Sequence, residues 1–336
     1  MLALLTQIVA NKMKKILLLL SATLFAINVQ SFSLNQSSIS GLARVYGYLT
    51  GQELSLKIIE ASYPELQQDI LLVKLKFQAA YPDLKEKTAK KIVELAGEQG
   101  KSLMSNAEQQ IVANAPKTIP KNQAIEFLKT VENRADGKIE NQPTRDFMLA
   151  ITYFESPEQE IAEKKTQKFN TKNEPKAKGL DLNLTLPLSW TEQEGTTPNT
   201  VRSWKSEAGS GASLISLLVR DTGDTRTKAQ VQRAIERKEL TNMVHPSADV
   251  NKVIYSEVGN QPGWYSEAQL TQKRLEFEIF QTYKSLQVLY SGKTIEIGCS
   301  SGNIAAKKDE ALKEAKRVES LCKAVMLSLV INNLYQ

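Results

Sequence analysis

The chain holds one histidine and two cysteines in 336 residues. That scarcity narrows its chemistry before any motif is read. A zinc site takes three or four ligands from histidine, cysteine and carboxylates, so a site here would lean on Asp and Glu. A Ser-His-Asp relay would have only His245 to take the proton. His245 precedes Pro246 in a polar stretch and reads as a plain loop residue. A long apolar run is missing too. The apolar stretch Ile16 to Ala26 falls well short of the roughly 20 residues that span a bilayer. Charge of one sign is also scarce. The formal +6 includes Lys12, Lys14 and Lys15, so the residues after Ser31 carry +3. Split at Gly179, they hold 21 basic and 19 acidic residues, then 19 and 18. The isoelectric point of 9.0 would suit nucleic acid only with a clustered basic face. The densest group, Lys85, Lys87, Lys90 and Lys91, is mixed with Asp83, Glu86 and Glu94, as on a solvated helix face. Nucleic acid is not an expected partner.

What is present starts with an export signal. Met13-Lys14-Lys15 precedes the short apolar core, and Val29-Gln30-Ser31 offers small residues at the −3 and −1 positions of a peptidase site. The expected cut lies between Ser31 and Phe32, and translation is expected to start at Met13, directly before the lysines. An uncleaved N-terminal anchor is the alternative. The expected location is therefore periplasmic or secreted, without stable membrane insertion after cleavage.

The roughly 305 residues that remain suffice for two domains of common size. From Ser38 to Phe169 apolar residues recur at three and four. Leu54, Ile58 and Ile59, then Leu66, Ile70, Val73 and Phe77, mark the buried stripes of amphipathic helices. Asp83 to Ala115 reads as a long polar helix weakened at Gly97 and Gly100. Asn122 to Arg134 reads as another, with Ile125, Leu128 and Val131 inward. Pro64, Pro82, Pro143 and Pro157 sit where first helical turns begin. The expectation is a helical domain over 32–170, with a linker at 171–179. From Leu180 the period becomes two, with Leu182, Leu184 and Leu186 on one face of a strand. Val201–Lys205 and Leu214–Arg220 pair across Gly209-Ser210-Gly211, and Ser291-Gly292 turns a hairpin. One helix, Lys307 to about Ile331, is expected to close the chain. The fold class is α+β: a helical bundle, then an antiparallel sheet domain over 180–336 covered by helices.

The order of parts in this second half resembles the PsbP-like fold, an α/β/α sandwich around an antiparallel sheet. The residues that carry the resemblance are the first strand running into Leu186-Pro187-Leu188-Ser189-Trp190, the turn and strand at Pro262-Gly263-Trp264-Tyr265, and the closing hairpin and helix. The resemblance implies an accessory or assembly role more than catalysis. It offers no functional residues to match.

Two motifs mimic catalytic ones. Gly298-Cys299-Ser300-Ser301-Gly302 fits G-x-S-x-G after a strand, but no histidine follows Ser300 in the chain. The expected reading is a strand end and a loop. Asp221-Thr222-Gly223 fits the aspartic-protease tripeptide, whose chemistry needs a second such aspartate. Asp and Gly are turn formers, and a turn is expected there. No catalytic residue, cofactor or metal is assigned.

Cys299 and Cys322 both face one apolar core, and an oxidising compartment favours bridges. Cys322 would lie about 22 Å along its helix at 1.5 Å per residue, while Cys299 would end its strand. A disulfide and two free thiols both remain open. Trp190, Trp204, Trp264 and Tyr265 read as core, with partner anchoring as the alternative. Tyr46, Tyr48, Tyr63, Phe77 and Tyr81 read as contacts within the bundle. The function these features favour is that of an exported, non-catalytic accessory protein of the bacterial envelope, acting through an unknown protein partner or a small ligand. A secreted hydrolase using Ser300 or carboxylates, and a carrier of a small apolar ligand in the helical domain, are the alternatives.

Overall fold

The computed structural model describes residues 36–241, 248–274 and 276–335. The export segment, the Met13 start, the Ser31–Phe32 cut and His245 lie outside the described residues. Six helices come first among those described: α1 (Gln36–Ser62), α2 (Gln67–Ala80), α3 (Leu84–Asn114), α4 (Lys121–Ala135), α5 (Gln142–Thr152) and α6 (Glu158–Ala162). Local chemistry explains their breaks. Gly97 takes φ +54° and interrupts α3, a backbone conformation that costs a residue with a Cβ about 1–2 kcal/mol. Asn141 caps α5 by accepting from Thr144 N at 3.0 Å, and Pro143 occupies the first turn, where its missing N–H is harmless. On α4 the inward residues are Ala124, Leu128 and Val131, while Ile125 is exposed. The expected inward Ile125 is thus corrected: the 124/128/131 spacing of four and three fills one face, and residue 125 lies a further ~100° round the helix.

The helices bury two separate clusters. Leu42, Val45 and Leu49 of α1 meet Leu84 and Ile92 of α3 and Met148 and Leu149 of α5. Leu56 and Ile59, lower on α1, meet Ile70 and Val73 of α2 and Leu128 and Val131 of α4.

The helical period that reads through Phe169 gives way earlier. β1 (Thr166–Asn170) pairs antiparallel with β2 (Leu182–Pro187). Residues 171–179 therefore connect two paired strands. Thr171 Oγ1 donates to Leu180 O at 2.6 Å and accepts from Leu182 N at 2.8 Å, which closes that connection. The remaining strands are β3 (Thr191–Glu194), β4 (Thr200–Lys205), β5 (Ser213–Asp224), β6 (Asp249–Val258), β7 (Gln261–Arg274), β8 (Phe277–Tyr290), β9 (Gly292–Ile304) and β10 (Val330–Ile331). They form a seven-stranded antiparallel sheet, β3-β4-β5-β9-β8-β7-β6, and a three-stranded one, β1-β2-β10.

Strand alternation places the core. Ile215, Leu217 and Val219 point to one face, beside Cys299, Ile297 and Ile295 of β9 in register. Leu182, Leu184 and Leu186 of the small sheet, Trp204 of β4, and Val318, Leu321 and Val325 near the C terminus complete that core. The opposite face is covered in part by α7 (Lys228–Glu236), whose Val231 and Ala234 pack on Trp264 and Leu289. The single closing helix is corrected. The chain forms α8 (Lys308–Arg317) and α9 (Glu319–Leu327), then β10. Val330 and Ile331 pair with Asn183 and Leu182 of β2, and β-branched residues lose side-chain freedom in a helix. The fold is α+β, as the two periodicities require.

Candidate functional site

Polar groups concentrate where the helices meet the sheet. Two short segments build that seam. Pro157 starts α6, which carries Glu160 under Ser189, just past β2. The β4–β5 turn passes through Glu207 and Ala208, both at positive φ (52° and 51°), and Gly209. Two successive left-handed residues with a Cβ are costly. They are held by hydrogen bonds from Ala208 N to Ser189 O at 2.9 Å and from Gly211 N to Ser206 O at 2.9 Å. Arg317, at the end of α8, ties the parts together. It donates to Phe154 O at 2.6 Å, Glu207 Oε1 at 3.2 Å and Glu314 Oε2 at 2.7 Å. Its guanidinium also lies 4.1 Å from the centre of the Phe154 ring, a distance suited to cation–π attraction.

The carboxylates here are not equivalent. Glu160 is 1% exposed. It accepts from Ser189 N at 2.7 Å and Ser189 Oγ at 2.6 Å. Burial pushes its pKa up to about 7, against those two hydrogen bonds, with Asp146 adding to the rise. Burial also raises Glu207, opposed by Arg317, and raises Asp146, opposed by Arg145. Tyr153 donates to Glu163 beside them, and burial raises its phenol. Ala150, Tyr153, Trp190 and Val318 help wall the site. The space between the walls has room for about one water molecule. Ser189 and Arg317 thus join Glu160, Phe154 and Glu207 in one polar cluster.

A further buried carboxylate, Glu296 on β9, is handled differently. It pairs with Arg220 and accepts from Tyr283. A Cβ on Gly298 would collide with the Tyr283 hydroxyl, so glycine there lets the phenol cross the strand to Glu296. Among the described residues no group of three or more His, Cys, Asp or Glu is arranged to hold a metal.

The motif residues fall elsewhere. Ser300 lies within β9, facing Leu214 on β5 and Tyr283 on β8. The expected strand end and loop at 298–302 is corrected: pairing on both sides keeps the segment extended to Ile304. Asp221 sits on β5 opposite Lys293, in place of the expected turn, and Lys178 holds its carboxylate at 2.8 Å. Those lysines keep Asp221 ionised by lowering its pKa. Cys299 and Cys322 stand with Cα atoms 6.1 Å apart and sulfurs in bonding contact. The expected axial offset disappears because β9 runs five residues past Cys299 and the helix breaks at Val318. Trp190, Trp204 and Trp264 are buried.

The feature that sequence reading missed lies on α2. Ile70 and Val73 are buried, while Leu71, Leu72 and Leu75 are 57%, 52% and 55% exposed. Spacings of one, three and four place the three leucines together on one face. The signal was available: Ile70-Leu71-Leu72-Val73 is apolar on both sides of a helix, whereas a helix with only one buried stripe is polar opposite it. No helix among the described residues is long and apolar enough to cross a membrane.

No protein-family model and no curated protein matches the chain. Among solved structures, it is similar to cyanobacterial PsbP (CyanoP) from Synechocystis sp. PCC 6803, at 13% identity and a TM-score of 0.33, over 50% of this chain and 92% of that one. It is also similar to LpqN, involved in cell envelope biogenesis of Mycobacterium tuberculosis, at 11% identity and a TM-score of 0.30, over 51% of this chain and 94% of that one. The chain thus carries a weak PsbP-like resemblance over about half its length.

Proposed function

We propose that this chain is an exported, non-catalytic accessory protein of the bacterial envelope that works by docking a protein partner onto its helical part. The observation that carries the reading is the leucine face of α2, where three neighbouring side chains are each more than half exposed. Contiguous exposed apolar surface of this kind marks interaction sites. The other groups fit a supporting role. Ser300 is held in a paired strand, and the acidic seam has room for about one water. Export through the Lys14-Lys15 signal would let Cys299 and Cys322 oxidise and pin α9 to β9.

The test is crosslinked capture of the full-length protein from its own envelope fraction, beside a Leu71→Lys/Leu75→Lys variant. The expected result is a protein held by the parent and lost by the variant, with thermal stability unchanged. Equal capture by both proteins, or no protein above background with either, overturns the reading.

A further inference from the structure

Glu160 differs from the other buried or half-buried carboxylates in what it lacks. Glu296 has Arg220, Asp146 has Arg145, and Glu207 has Arg317. The close donors to the Glu160 carboxylate are Ser189 N and Oγ, with the Leu188 backbone also favouring the charged form, and no ion pair reaches it among the described residues. A carboxylate at 1% exposure without a cation is strongly disfavoured in its charged form. A proton is the remaining way to neutralise it. The contact fastens α6, the short segment between α5 and β1, to the segment leading into β3: Ile161 of α6 packs on the sheet core, and Glu160 reaches Ser189.

We propose that this contact is a proton-controlled latch, which holds α6, the joint between α5 and β1, firmly on the sheet while Glu160 is protonated and loosens when it ionises.

The neighbouring carboxylates, unlike Glu160, each have a cation or a phenol attached. From α5, Asp146 faces it with Arg145 attached, and Tyr153 follows, bound to Glu163 just past α6. From the β4–β5 turn and α8 come Glu207, Arg317 and Glu314, joined as one network. Lys91 of α3 reaches the same corner, 4.0 Å from the centre of the Phe154 ring. From α9, Glu319 is clamped by Lys284 and Lys323, which lower its pKa to about 2 and keep it ionised throughout. β2 contributes no ionisable side chain. The sign follows from burial. In the closed seam the pKa of Glu160 is raised to about 7, from 4.5 when solvated. The closed state therefore binds the proton more tightly, and its advantage is complete below pH 4.5. It is lost as pH rises toward 7 and changes no further above that.

The experiment is amide hydrogen exchange across residues 158–165 and 188–190 of the full chain between pH 5 and 8, corrected for intrinsic rates. One proton released on opening predicts an opening constant that rises about tenfold per pH unit up to about pH 7, then levels off. In Glu160→Gln, an uncharged near-isostere, that rise should vanish. A second variant guards against a folding defect. Ser189→Ala removes one donor to the charged form, so the rise should persist and extend to higher pH. The idea is overturned if the parent shows no rise, if Glu160→Gln keeps it, or if Ser189→Ala leaves its position unchanged. Carbon-13 titration gives an independent reading: a carboxyl with a midpoint near pH 7, absent from Glu160→Gln, is expected, and its absence from the parent also overturns the latch.

Discussion

The helical and sheet halves have almost the same charge balance, yet they bury apolar surface in different ways. On the sheet side one large core gathers residues from both sheets and the two closing helices around Trp204, with a small cluster under α7 on the opposite face. On the helical side α1 is shared between two smaller clusters, one at each end, and α2 leaves three leucines in solvent. The difference follows from geometry. An antiparallel sheet presents a broad face that a second layer can cover. A helix buries only a stripe, and any apolar residue beyond that stripe needs another neighbour. The sheet half thus has the character of a scaffold, and the helical half holds surface to spare.

Four variants would break or sharpen that contrast. The largest effect is expected from Trp204→Ala. Trp204 is fully buried, with Phe169 edge-on at 5.0 Å, and truncating a core tryptophan costs about 4 kcal/mol. Denaturant unfolding should show the loss in the midpoint, with hydrogen-exchange protection falling across both sheets. A loss confined to β4 would mean that the core is not one unit.

Next comes the cysteine pair. A crosslink between residues 23 apart stabilises by about 3 kcal/mol in the chain-entropy model. Replacing both cysteines with alanine should lower the denaturation midpoint accordingly and loosen α9 more than α4. Equal loosening of the two helices would contradict the separation of cores. Leu128→Ala in the second helical cluster should cost less, about 2 kcal/mol, because a site beside half-exposed residues can partly collapse. Hydrogen exchange should then report the change in α2 and α4 and leave the sheet as it was. The leucine-face variant ranks last, within about 0.5 kcal/mol, as expected of exposed positions. A clear loss of stability there would mean that those side chains are part of the fold.

Much of the fold was legible in residue spacing. Leu182, Leu184 and Leu186 face one core as their period of two requires. The proline positions and Gly97 mark helix starts and the kink in α3. The candidate site was much less legible. Glu160 is one glutamate among the Glu158, Glu160 and Glu163 of a short acidic segment, and alone among them it meets Ser189. The leucine face had a local signal in Ile70-Leu71-Leu72-Val73, obscured because either side of that helix could have been the buried one.

By itself, then, the sequence determined what is local: which segments are helix or strand, where they stop, and that both halves are nearly neutral. Period and capping depend on neighbours a few positions apart. The tertiary structure decided what depends on distant partners. It split the last helix so that Val330 and Ile331 could join β2. It brought Cys299 to Cys322 and buried Glu160 where no ion pair reaches it among the described residues. Burial and electrostatic environment are set by residues far apart in the chain, and no reading of spacing contains them.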